Sequence, residues 1–101
     1  MRLGEVAHSR CGDKGNTLNI AVIAYDLTDY PSLVKWLSVE RVQQHLRDFV
    51  RGNVERHLLP SLGVINFVLH DALSGGVTRS LMLDPHGKTL SSVLLDLEIA
   101  D

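Results

Sequence analysis

The chain has 101 residues and a formal net charge of −2, with charges of both signs intermixed and only five aromatic residues. This length predicts one domain, 1–101, and the absence of a basic field argues against nucleic-acid binding. No stretch reaches the roughly 18 apolar residues of a membrane span, and no signal peptide is evident. The single cysteine permits no intramolecular disulfide. We therefore expect a cytoplasmic protein that binds neither nucleic acid nor membranes.

The first half of the chain predicts a strand pair and a helix. Residues 2–8 alternate modestly and residues 17–25 are almost continuously apolar, which predicts a hairpin with a long glycine-rich connection. Pro31 suits the first position of a short helical turn that runs to Leu37. The next helix begins after a Ser38 cap and stops near Gly52. Its apolar stripe, at 3.6-residue spacing, consists of Val39, Val42, Leu46, Phe49 and Val50.

The second half predicts a further strand pair and a terminal helix. Residues 53–59 are ambiguous and expected to be extended up to Pro60. Residues 63–70 read as a buried strand with Ile65, Phe67 and Leu69 on one face. Residues 78–84 are its predicted hairpin partner. The terminal helix is indicated by the spacing of Leu90, Val93, Leu94 and Leu97.

The predicted order is β-β-α-β-β-α, a strand pair followed by a helix, twice. Two such units join into one four-stranded antiparallel sheet with both helices on one face, which is a ferredoxin-like α+β sandwich in permuted order. The other face of the sheet would be bare and rich in apolar residues, which predicts a homo-oligomer.

The turn between the first two strands, His8–Asn16, carries the strongest site prediction. Gly12 and Gly15 would take positive φ angles, so that successive N–H groups converge on an anion such as a carboxylate or phosphate. The remaining predicted contacts in this segment are Arg10, Asp13, Lys14 and Asn16. The alternative is a structural turn, in which Asp13 pairs with a neighbouring cation and caps its own backbone. The spacing matches neither a Walker A loop nor a dinucleotide fingerprint.

A second glycine turn contains Gly75, Gly76 and Arg79, which are candidates for a similar anion contact. The alternative is a hairpin turn that needs positive φ. The predicted topology puts the two turns at opposite ends of the sheet, so they share a site only across a subunit interface.

Acid–base catalysis has two weak candidates, His8 and Asp13, which would work at a subunit interface with Arg10 and Lys14 as anion anchors. The five histidines show no metal-ligand spacing, and we expect no metal and no cofactor.

Several motifs resemble, in order along nearly the whole chain, the C-terminal domain of AtuA-like proteins of acyclic terpene utilisation. They are His8-x-Arg10-x-Gly12-Asp13-Lys14-Gly15-Asn16-x-x-Asn19-Ile20, Leu59-Pro60, Asn66-Phe67-Val68-Leu69, Gly75-Gly76, Ser80-Leu81 and Asp84-x-x-Gly87-Lys88.

The resemblance implies a ferredoxin-like fold in a stand-alone chain. It also implies an accessory or binding role beside an enzyme of acyl-CoA or terpenoid catabolism. AtuA-like proteins share a larger N-terminal portion that is not in this sequence, so an activity residing there does not carry over. Cys11 stands where the family pattern has serine, which argues against a nucleophilic role for this cysteine.

Overall fold

A computed structural model describes residues 1–14, 17–47, 50, 52–71 and 90–99. Short 3-10 turns at Leu3–Glu5, Leu27–Asp29 and Pro60–Leu62 accompany its strands and helices. The described strands are β1 (Ala7–Lys14), β2 (Thr17–Ala24), β3 (Val54–Leu59) and β4 (Val64–Leu69). The described helices are α1 (Tyr30–Trp36), α2 (Val39–His45) and α3 (Leu90–Leu95).

The four described strands form one antiparallel sheet in the order β1-β2-β4-β3. Direct partners run from Ala7 with Ala24 to Lys14 with Thr17 in the first pair. β4 lies in the interior of the sheet, between β2 and β3. The predicted α+β class and the four-stranded antiparallel sheet are confirmed.

One face of the sheet packs against the helices. Every second residue of β4 is fully buried, namely Ile65, Phe67 and Leu69, as the alternation predicts. The fully buried residues that the helical layer and β2 add to this core are Leu33, Leu37, Val42, Leu46, Leu94, Leu18, Ile20 and Val22. The described helices therefore cover one face of the sheet, and the core formed by the described residues lies there.

The beginning of the chain differs from the predicted strand over residues 2–8. Leu3–Glu5 is a 3-10 turn, and the backbone N–H of Arg2 donates to Glu5 at 2.7 Å. Leu3 is fully buried, and its N–H donates to Leu97. The short turn packs Leu3 under the C-terminal segment, so the regular strand starts only at Ala7.

The α2 helix confirms the predicted cap and shortens the predicted length. The Ser38 hydroxyl accepts a hydrogen bond from the N–H of Arg41 at 3.2 Å. The regular helix ends at His45 instead of near Gly52, although the N–H of Val50 still reaches the Leu46 carbonyl at 2.9 Å. Phe49 of the predicted stripe lies outside the described residues.

The second hairpin is built from other segments than predicted. The ambiguous residues before Pro60 form β3, which is antiparallel to β4. Since β2 and β3 occupy both sides of β4, the predicted pairing of residues 63–70 with 78–84 is wrong. Gly63 ends the β3–β4 connection with a φ of 65°, a left-handed conformation that glycine adopts without strain. Residues 78–84 themselves lie outside the described residues.

Candidate functional site

The face of the sheet opposite the helices carries charged and histidine side chains that are candidates for a functional site. We call it the open face, because none of the described helices packs on it. Strand alternation and the pairing register assign its members. They are His8, Arg10 and Gly12 on β1, Asn19, Ala21 and Ile23 on β2, Val64, Asn66 and Val68 on β4, and Glu55, His57 and Leu59 on β3.

The predicted anion-binding turn is mostly strand. Residues 8–14 all belong to β1, and β2 resumes at Thr17, so only positions 15 and 16 connect the two strands. Gly12 is not among the described residues with positive φ, and it pairs with Asn19 in the ladder. Because N–H groups alternate in direction along a strand, those of residues 8–14 do not converge on an anion. The predicted backbone nest at Gly12 is therefore wrong.

Arg10 lies on strand β1 and not in the predicted turn, but its side chain is accessible to solvent. Its side chain is exposed on the open face, opposite the small side chain of Ala21. No residue in the described part of the chain gives it a hydrogen bond or an ion pair. The guanidinium, a permanent cation with five donors, is thus available to a carboxylate or phosphate.

The other predicted contacts are only partly described. Asp13 and Lys14 end β1, and nothing is described of their side chains. Gly15, Asn16, Gly75, Gly76 and Arg79 lie outside the described residues. Their predicted roles remain predictions.

The two predicted acid–base residues are far apart within one chain. His8 and Asp13 stand five positions apart on β1, which is about 17 Å of extended strand. Alternation also assigns the two positions to opposite faces of the sheet. The two backbone positions are therefore not neighbours within one protomer.

His8 has an unusual environment for a residue on this face. Its Nε2 atom is buried and has no hydrogen-bond partner among the described residues. The imidazole packs against Tyr25, with ring centroids 5.2 Å apart. A buried polar atom without a partner destabilises the fold by about 1–3 kcal/mol. His8 thus has an unused hydrogen-bonding atom two positions from Arg10.

A cluster that sequence analysis missed lies on the β3 side of the open face. Glu55 accepts hydrogen bonds on both carboxylate oxygens, from His57 Nε2 at 3.2 Å and from His70 Nε2. The hydrogen bond from His70, and to a smaller extent that from His57, lowers the pKa of the Glu55 carboxyl below its ordinary value. All three side chains are about half exposed, at 49%, 56% and 42% respectively.

Backbone packing holds this cluster together. The N–H of Gly52 donates to the His70 carbonyl at 3.1 Å, and the N–H of His70 donates to Asn53 at 2.9 Å. A side chain at Gly52 would put its Cβ 2.5 Å from the His70 carbonyl oxygen. The Glu55-x-His57 spacing indicates that the two share a face, but only the β3–β4 pairing brings in His70.

A shallow groove of about 410 Å³ lies at the α2 helix and the C-terminal segment, away from the open face. Its polar groups are already engaged in part. His45 Nε2 lies 2.8 Å from the Val93 carbonyl, and Glu98 pairs with the N-terminal amine at 3.2 Å. The groove contains none of the predicted site residues.

The described residues offer neither a metal site nor a membrane-spanning helix. No group of three or more histidine, cysteine, aspartate or glutamate side chains there could hold a metal ion. No described helix is long and apolar enough to span a membrane. Cys11, on the other face of β1 from Arg10, packs against the core.

Comparison with known protein families gave a match that spans nearly the whole chain. The family model described as AtuA ferredoxin-like domain matches residues 1–100. Neither the curated proteins nor the solved structures contain a significant match. The match spans nearly the whole chain and agrees with the α+β sheet described above. The chain therefore belongs to the AtuA ferredoxin-like domain family.

Proposed function

We propose that this protein is a non-catalytic accessory module that binds an anionic group through Arg10 on its open face. The observation that carries the proposal is the position of Arg10. Its guanidinium is exposed on a sheet face that none of the described helices covers, and no described residue neutralises it.

The surroundings of Arg10 support a binding role. Ala21 and Gly12 carry little or no side chain, so no bulky side chain at these two positions blocks access to the sheet surface next to Arg10. A Cβ added at Gly12 would meet no atom within 4 Å, which means that this strip is open.

The geometry gives less support to catalysis. The predicted acid–base pair is separated by the length of β1, and the open face is a surface, whereas enzymes usually bind small substrates in a concave pocket. The proposed role is therefore to recognise an anion and not to transform it.

The family suggests the metabolic context in which the anion would be bound. AtuA-like proteins are linked to acyclic terpene utilisation, so we propose a cytoplasmic homo-oligomer that assists an enzyme of acyl-CoA or terpenoid catabolism. Carboxylates and phosphates are the anionic groups of such substrates, and arginine binds both in a bidentate manner.

A thermal-shift screen tests the binding role. Dilute protein is heated with CoA, acyl-CoAs, small carboxylates or inorganic phosphate. A ligand at about 100 times its Kd stabilises the native state by about 2.7 kcal/mol, which corresponds to a shift of roughly 10–20 °C for a domain of this size.

The matched variants are Arg10→Ala and Arg41→Ala. Arg41 is also exposed, but it lies on α2 in the other layer. We expect Arg41→Ala to keep the ligand-dependent shift and Arg10→Ala to lose it. If no anion shifts the wild-type protein, or if Arg10→Ala responds like wild type, the binding role is wrong.

A further inference from the structure

The open face carries its opposite charges on opposite edges of the described sheet. Arg10 lies on β1, one edge strand, whereas Glu55 lies on β3, the other edge strand. The two edge strands are about 14 Å apart at a strand spacing of about 4.8 Å. Arg10 and Glu55 are therefore too far apart to form a direct ion pair within one chain.

The interior strands present a surface that is suited to burial. Ala21, Ile23, Val64 and Val68 are half-buried and apolar, and Asn66 lies among them. No charged residue of the open face lies on β2 or β4. Interfaces show the same arrangement, with an apolar centre depleted of charge and a polar rim.

A two-fold axis makes this pattern complementary to itself. Consider two copies stacked with their open faces together. If the two-fold axis lies between the two sheets, parallel to the strands and over the gap between β2 and β4, β1 of one copy lies over β3 of the other. The register puts Arg10 in one row with His57, and Glu55 in the next row, about 7 Å along the strand. Two sheets stacked face to face lie about 10 Å apart. The guanidinium and the carboxylate can then meet between them.

We propose that the open face is the interface of a symmetric homodimer, in which Arg10 of each copy pairs with Glu55 of the other. The proposal rests on the proposed role of Arg10 as an anion contact, and it names a second copy of this chain as the source of the anion. The symmetry produces two such pairs per dimer, one at each edge of the interface.

The histidines next to Glu55 favour this pairing. The hydrogen bonds from His57 and His70 hold the Glu55 carboxylate in place, and its side chain remains about half exposed. A carboxylate has enough lone-pair positions to accept both imidazoles and an incoming guanidinium. The acceptor is therefore already oriented before the second copy arrives.

The size of the face predicts a reversible dimer. Four strands at about 4.8 Å and six residues at about 3.3 Å cover a projected area of about 400 Å² per copy. A standard stable interface buries about 800 Å² of accessible surface per partner. Two exposed side chains at the end of the sheet, Tyr25 and Leu59, enlarge the face. The dimer is expected to dissociate on dilution in the micromolar range or above.

A charge exchange tests the pairing. Sedimentation velocity follows the oligomeric state of Arg10→Glu, Glu55→Arg and wild type from about 1 µM to about 1 mM. Each single change brings like charges together at both edges, so each should weaken the dimer by at least about tenfold. In an equimolar mixture of the two variants, both edges carry opposite charges again, and a heterodimer should form. The double variant should regain the homodimer.

The mixture also controls for folding, since two misfolded variants would not restore a defined dimer. Arg41→Glu, on the other layer, should dimerise like wild type. The proposal is overturned if wild type stays monomeric throughout, if Arg10→Glu dimerises like wild type, or if the mixture stays monomeric.

Failure of the dimer proposal can be distinguished from failure of the proposed binding of a soluble anion. A soluble anion and the second copy compete for Arg10, so ligand-dependent shifts should fall as protein concentration rises. A monomeric protein that CoA or a carboxylate stabilises through Arg10 would overturn the dimer and leave the binding role intact. A dimer restored by mixing, with no anion effect at any concentration, would support the dimer and refute the binding of a soluble ligand.

Discussion

Arg56 links the strand that carries Glu55 and His57 to the helical layer. Its Nη1 atom donates to the carbonyl of Val34 at 2.7 Å and to that of Leu37 at 2.9 Å, at the C-terminal end of α1. The last four carbonyls of a helix have no partner within the helix, and the helix dipole favours a cation there. Arg56 therefore satisfies two acceptors and holds β3 in place.

The change Arg56→Met keeps an aliphatic chain and removes both hydrogen bonds. Hydrogen bonds from a charged donor contribute about 1.5–3 kcal/mol, and the two bonds share one guanidinium. We expect a loss of about 2–3 kcal/mol in the free energy of unfolding. For a domain of this size, this lowers Tm by roughly 10–20 °C.

Urea denaturation followed by circular dichroism measures this loss. Arg41→Met is the matched control, because exposed Arg41 donates a single bond of 3.2 Å to the Trp36 carbonyl at the same helix end. The control should change stability by at most about 0.5 kcal/mol. If the two variants lose equal stability, the argument that Arg56 anchors β3 is refuted.

The remaining predictions concern the glycines and the Glu55 cluster. Gly12→Ala should leave stability within about 0.5 kcal/mol of wild type, because its Cβ meets open space; a clear loss in urea denaturation would instead indicate a strained turn. Gly52→Ala should lose about 1–3 kcal/mol in the same assay, because its Cβ falls 2.5 Å from the His70 carbonyl oxygen. His70→Phe should raise the pKa of Glu55 more than His57→Phe does, since His70 makes the larger contribution; an NMR titration of the carboxyl carbon measures this, and the opposite order would contradict the geometry. Because folding lowers this pKa, the contribution of Glu55 to stability is complete above about pH 4.3, the ordinary glutamate value, and is lost as pH falls through the folded-state pKa.

The local patterns of the sequence predicted individual elements well. The alternation of Ile65, Phe67 and Leu69 identified an interior strand and its buried face, because a strand with one buried face has a period of two. The Ser38 cap marked the start of α2 for an equally local reason. Family membership was also predictable from the order of the motifs.

The site was harder to predict. Arg10 was identified, but as part of a glycine-shaped turn. Glycines in a strand and in a turn look alike in a sequence, and only the pairing with β2 shows that Gly12 continues the strand. The Glu55 cluster was missed because His70 lies fifteen positions away and on another strand.

The sequence by itself determined the α+β class, the buried face of β4 and the presence of a cation at position 10. These properties depend on local periodicity and on composition. The tertiary structure decided which strand lies beside β4, and therefore that Arg10 and Glu55 occupy opposite edges of one face. Strand neighbours are chosen by how well the whole sheet and the helical layer bury their apolar side chains together, and no local pattern records that choice.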